Sequence, residues 1–228
     1  MTLYTALGRF SSSTDLQGNH YPVIESKGCE NLMDVSEMLI WSALSNRFLE
    51  LDHLTDLYDK RTSTLQLVSP KPCAAYIDRM LQRDLIMSGT GDTGHDALYD
   101  LLSNLYIKPM NTSLSQRIAQ FLKLLFKHGQ PLKLAAHVLR RDRRSAYEKR
   151  IMDIAHQNLL STAEIITCIE DGQCDVSSDD KVLAAIYGDA FTTCDNIAYS
   201  ARQTEAELPC LVAVANLYIR QQITLERI

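Results

Sequence analysis

Four groups of residues in this 228-residue chain could do chemistry: its cysteines, its histidines, a GxGxxG run and a dense arginine block. The cysteines are Cys29, Cys73, Cys168, Cys174, Cys194 and Cys210; none form a CxxC pair, and Cys168 and Cys174 stand further apart than zinc-binding pairs usually do. With no apolar leader at the Met1 end, they point to free thiols in a reducing cytoplasm. His20, His53, His95, His128, His137 and His156 are dispersed and form no HExxH, so neither a metal nor another cofactor is expected. Gly89-Thr90-Gly91-Asp92-Thr93-Gly94 matches a dinucleotide fingerprint, but that chemistry requires a βαβ frame. Without a second parallel strand, the glycines read as a flexible turn. Ser200, Cys194 and the paired acids Asp179-Asp180 have no recognisable base or orienting partner, so the chain is not expected to be an enzyme.

The arginine block is Arg140-Arg141-Asp142-Arg143-Arg144, followed by Lys149 and Arg150. It stands out because the net charge is −5, and residues 1–111 carry 9 Lys+Arg against 14 Asp+Glu. Nucleic-acid binders are more commonly basic overall. Nothing approaches the roughly 20 apolar residues of a membrane span, so no membrane partner is expected.

Several elements must position these groups. Residues 1–33, with Ser11-Ser12-Ser13 and no sustained period, read as a flexible N-terminal arm. Asp34 and Glu37 make a capping box for a first helix through Leu44, and Leu51, Leu54, Leu57 and Tyr58 mark a second. Pro70-Lys71-Pro72 opens a third helix up to about Arg83. Leu85–Met87 reads as a short strand, Asp96–Ser103 as a helix and Leu105–Ile107 as a second strand. In the middle, Leu114, Ile118, Phe121, Leu125 and Phe126 form a wide apolar face suited to dimerisation. A long helix is then expected from about Leu132 through the arginine block towards Asn158. Ser161 and Glu164 make another capping box, and Asp179 opens a helix through Ala190. Asn196–Ser200 matches the first strand of the other half, and Leu211–Asn216 and Tyr218–Leu225 complete the chain.

The halves also repeat one another. Asn104-Leu105-Tyr106-Ile107-Lys108 parallels Asn216-Leu217-Tyr218-Ile219-Arg220, Ile40–Asp59 falls on Ile151–Glu170, and Ala74–Ile77 falls on Ala184–Tyr187. Three blocks in one order imply duplication of a unit of roughly 75 residues. The expected fold is mainly α with short β wings, as two units at 34–111 and 145–228 joined by long middle helices over 112–144.

Helix, helix, helix, strand, loop, strand is the order of a winged helix. The segment from Ala74 to Ile86 resembles the recognition helix and wing entry of MarR-like and PadR-like bacterial repressors, in which an apolar-backed helix closes on a basic residue before a hydrophobic strand. The resemblance covers about 50 residues per half and implies a helix-turn-helix whose third helix enters the major groove of double-stranded DNA. It would set Lys71, Arg79, Gln82 and Arg83 against phosphates and base edges, with Arg140, Arg141, Arg143 and Arg144 as phosphate contacts. The implied function is a cytoplasmic, homodimeric transcriptional regulator. Arg79 and Arg83 equally fit a solvated i,i+4 pair balanced by Asp78 and Asp84. The alternative is a tandem winged-helix scaffold resembling the ScpB-type partners of chromosome-organising complexes, which are acidic and hold proteins; a plasmid replication initiator ranks below both.

Overall fold

A computed structural model describes the chain apart from positions 16, 19, 68–70, 111–142, 173–174, 189–190 and 228. The architecture is mixed α/β, with helices packed around three small antiparallel sheets.

The N-terminal residues expected as an arm form four strands: β1 (Thr2–Ala6), β2 (Arg9–Thr14), β3 (His20–Ser26) and β4 (Cys29–Leu32). The last three make a meander in the order β2-β3-β4. The β3–β4 turn needs left-handed backbone at both central residues, and Lys27 (φ 54°) and Gly28 (φ 72°) supply it. Next come α1 (Val35–Leu44), β5 (Leu49–Glu50), α2 (Leu51–Thr64), α3 (Cys73–Gln82) and β6 (Ile86–Thr90). They are followed by α4 (Gly94–Leu102) and β7 (Tyr106–Pro109).

The later elements are α5 (Ala146–Ala155), α6 (Thr162–Glu170), α7 (Asp179–Val182), a π-helical turn (Leu183–Tyr187), α8 (Cys194–Ala201), α9 (Glu207–Ile219) and β8 (Ile223–Glu226). Three expectations change here. Helix α5 starts after the arginine block, because Ser145 caps it through a box with Glu148. Asn196–Ser200 lies in a helix rather than a strand, capped by Thr193. The strands expected to pair as a wing do not meet each other: β6 lies against β1, and β7 against β8.

The sheet β5-β1-β6 is the wall between two hydrophobic cores. Successive strand side chains point to opposite faces. On one face Leu3, Phe48 and Met87 join the core built with α4, α5, α6 and α9. On the other, Tyr4, Ala6, Leu49 and Ile86 join Ile40, Leu44, Leu54, Ile77 and Met80 from α1, α2 and α3. The Tyr218 hydroxyl on α9 pins the wall by donating to the Ala6 carbonyl at 2.8 Å. Burial pushes the pKa of that phenol up.

The glycine-rich run is a packing device. Gly89 lies within β6, where a Cβ would sit 2.3 Å from the Leu101 nitrogen and 2.4 Å from the Ala97 carbonyl oxygen. Gly91 comes equally near the start of α4, with Asp96 Cβ 2.4 Å from its position, and its N–H donates to the Met1 carbonyl. Only glycine lets strand and helix approach so closely.

Part of the internal repeat has a structural counterpart. Helix α1, the short β5 and α2 correspond in order and aligned position to α5, the Ser161 bridge on β7, and α6. The matching pentapeptides do not correspond, since Asn104–Lys108 leads into β7 whereas Asn216–Arg220 ends α9. The counterpart of α3 by structure is α9. Each is followed by a C-cap arginine (Arg83, Arg220), a left-handed residue (Asp84, φ 51°; Gln221, φ 57°) and a strand. The block at Ala184–Tyr187 instead falls in the π-helical turn.

Candidate interaction face at the end of α3

Helix α3 buries Cys73, Ile77 and Met80 and presents Ala74, Ala75, Asp78, Arg79 and Gln82 to solvent. That apolar back seats it on α1 and α2. Its C-terminal arginines do not stand free. Glu37, in the first turn of α1 and only 2% exposed, takes Arg79 Nε at 2.8 Å and Arg83 Nη1 at 2.9 Å on one carboxylate oxygen. Its other oxygen accepts the Asp34 N–H at 3.0 Å to close the capping box. Arg79 also pairs with Asp34 and lies over the Tyr76 ring, 5.3 Å from its centroid. Arg83 Nη2 donates to the Leu32 carbonyl at 2.6 Å. One carboxylate and two guanidinium groups thus tie the end of β4, the start of α1 and the end of α3 together.

Burial pushes the Asp34 carboxyl up, but the Glu37 N–H and the Arg79 guanidinium outweigh it and hold its pKa below the ordinary value. Arg79 is raised in turn, chiefly by its bond to Asp34. The second half repeats the device. Glu148 of the α5 capping box is 3% exposed and takes Arg220 Nη1 at 3.3 Å, again from the C-cap of the unit's last helix. The sequence signals the Asp34–Glu37 box but not the arginines that close on it.

The other expected site residues disperse. Lys71, exposed before the opposite end of α3, contributes its carbonyl to the Tyr58 hydroxyl at 3.2 Å, and Gln82 is exposed without joining the Glu37 cluster. Arg143 is exposed, whereas Arg144 Nε donates to Gln222 Oε1 at 2.6 Å. Arg140 and Arg141 lie outside the described residues, as do Leu114, Ile118, Phe121, Leu125 and Phe126 of the expected dimer face. Around the Glu37 cluster, Leu32 (63%) and Val35 (58%) leave large apolar side chains in solvent.

Elsewhere Cys194 lies 3.3 Å from the Tyr187 hydroxyl, which donates to Glu164 at 2.7 Å. Burial, Cys194 and Glu164 all push that phenol far up, so it is no base for the thiol. Cys168 is disulfide-bonded, a correction to the expectation of free thiols throughout; Cys29, Cys73, Cys194 and Cys210 are free. Among the described residues no three His, Cys, Asp or Glu side chains converge as metal ligands would, and no helix is long and apolar enough to cross a membrane. The chain matches no protein-family model, no curated protein and no solved structure at a significant level.

Proposed function

We propose that the protein is a tandem winged-helix-like scaffold that holds other proteins and does not read DNA. The observation that carries this reading is the engagement of Arg79 and Arg83 by Asp34, Glu37 and the Leu32 carbonyl. Base readout needs guanidinium groups aimed outward at a groove, whereas these two close the fold around a buried carboxylate. The acidic balance of the chain and the exposed Leu32 and Val35 support the same reading. The order strand, helix, bridge, helix, later helix, strand in each half supports treating both as variants of one unit, with the central strand of each small sheet supplied by the chain preceding the first helix.

The test is fluorescence anisotropy of a labelled random duplex with the intact protein from low to moderate salt. Flat, salt-insensitive anisotropy is the expected result. Tight binding that falls steeply with salt overturns the scaffold reading, because phosphate neutralisation by basic residues has that signature.

A further inference from the structure

Helix α9 is the last helix of the second half, and among the described residues nothing covers one side of it. Its buried side, with Cys210, Val214, Leu217 and Tyr218, meets α4, α5, α6 and β8. The opposite side carries Leu208 (54% exposed), Val212 (48%) and Ile219 (52%), with Ala215 between them. These four stand at i, i+4, i+7 and i+11, the spacing of a straight apolar seam along a helix. The outer face of α3, its counterpart in the first half, instead carries Ala74, Ala75, Asp78 and Gln82.

The sequence holds a second seam with the same spacing. Leu114, Ile118, Phe121 and Leu125, which lie outside the described residues, also stand at i, i+4, i+7 and i+11. Both ends of the stretch 111–142 are fixed at the C-terminal end of α9. The Met110 N–H donates to the Gln222 carbonyl at 2.8 Å, and Arg144 Nε donates to the Gln222 side chain at 2.6 Å. Gln222 closely follows Ile219, where the α9 seam ends. A chain that leaves Met110 and follows that seam therefore runs from Ile219 towards Leu208, antiparallel to α9. At about 1.5 Å per helical residue, Leu114–Leu125 and Leu208–Ile219 each span about 16 Å. Gly129-Gln130-Pro131 ends the apolar pattern just beyond, and Leu132–Arg144 covers about 18 Å even as a helix, enough to return to Gln222. In this direction the side chains also match in size. Leu114 falls on Ile219, Ile118 on Ala215, Phe121 on Val212 and Leu125 on Leu208, so the largest residue of one seam meets a small one of the other.

We propose that the outer seam of α9 is the seat of residues 114–125 of the same chain, packed antiparallel with Phe121 against Val212 and Ile118 against Ala215. The apolar face that suits dimerisation by its sequence is then used within one chain. This seat concerns the chain's own packing and does not depend on the scaffold reading.

The test is cysteine pairing in the intact chain, with the exposed thiols Cys29 and Cys194 changed to serine. One variant carries Phe121→Cys with Val212→Cys, the antiparallel pair. The other carries Leu114→Cys with Leu208→Cys, which meet only in a parallel arrangement. After mild oxidation of dilute protein, peptide mass spectrometry identifies each link and non-reducing electrophoresis shows whether it lies within one chain. We expect the 121–212 link within the monomer in at least tenfold excess over the 114–208 link. Absence of the 121–212 link, or equal amounts of the two, overturns the proposal, and a 121–212 link found only in dimers overturns it in favour of a second copy. Hydrogen exchange provides a readout without cross-linking. Amides of residues 114–125 should exchange at least tenfold faster in Val212→Glu than in wild type while those of α3 keep their rates; unchanged exchange over 114–125, or an equal acceleration in α3, overturns the proposal.

Discussion

Replacing Gly89 by alanine tests whether the glycine-rich run is a packing device or a loose turn. The added Cβ would meet the Leu101 nitrogen at 2.3 Å and the Ala97 carbonyl oxygen at 2.4 Å. Both are backbone atoms of α4 and cannot rotate away, so β6 and α4 must part by about 1 Å to restore ordinary contact. Helix α4 carries Ala97, Leu101 and Leu102 into the core with no exposure, and all three loosen together. Overpacking typically costs about 1–3 kcal/mol, and rigid backbone on the far side puts this substitution at the top, about 3 kcal/mol. At a flexible turn the same change would instead stabilise by about 0.4–1 kcal/mol through the unfolded chain. Gly94→Ala is the internal control. It is the first residue of α4, its Cβ would meet nothing nearer than the Met1 sulfur at 3.5 Å, and it should gain about 0.5 kcal/mol. Urea unfolding at unchanged m-value reads both variants. A Gly89→Ala protein as stable as wild type would refute the close-approach argument.

Thiol reactivity should split the four free cysteines among the described residues in two. Exposed Cys29 and Cys194 should react with a disulfide reagent in the native state, while Cys73 and Cys210, pushed by burial up to about 11 and about 12, should react only on unfolding; native reactivity of either buried thiol at the rate of Cys29 would contradict this. Asp84 is held below its ordinary pKa first by its hydrogen bond to Lys27 at 2.8 Å and also by Arg227 at 3.0 Å. A depressed carboxylate stabilises the fold above its unfolded pKa of about 3.9, and the contribution disappears as pH falls through the lowered folded value. Asp84→Asn, which keeps a side chain suited to the left-handed backbone there, should therefore lower the urea midpoint at pH 7 more than at pH 2; equal losses at both would sink the linkage.

The helices of the first half were legible because their signals are local. Asp34 with Glu37, the apolar spacing of Leu54 and Tyr58, and the stripe on α3 act within a few residues of one another. Strand β1 was not legible, because its partners lie at Leu49–Glu50 and Ile86–Thr90 and its two faces serve different cores. The helix start at the Ser145–Glu148 box was missed, because one helical periodicity was read across it from about Leu132 to Asn158. Chance similarity misled in the pentapeptide, which lies in unlike elements, while the correspondence of α3 with α9 rests on caps rather than residue identity. At the candidate site, the sequence offered the right arginines and the right glutamate, with no sign that they bind one another. That pairing is long-range, joining residues at opposite ends of the three-helix segment.

The most direct measurement is a double-mutant cycle between Glu37 and Arg83. Stability is read by urea unfolding of wild type, Glu37→Gln, Arg83→Ala and the double variant. Glu37 is 2% exposed and Arg83 33%, so their 2.9 Å contact is largely shielded, and bonds to such charged groups are worth about 1.5–3 kcal/mol. If Arg83 closes the fold, the two losses should overlap by at least about 1 kcal/mol. Losses that add to within about 0.3 kcal/mol, with Arg83→Ala impairing only DNA binding, would contradict the account.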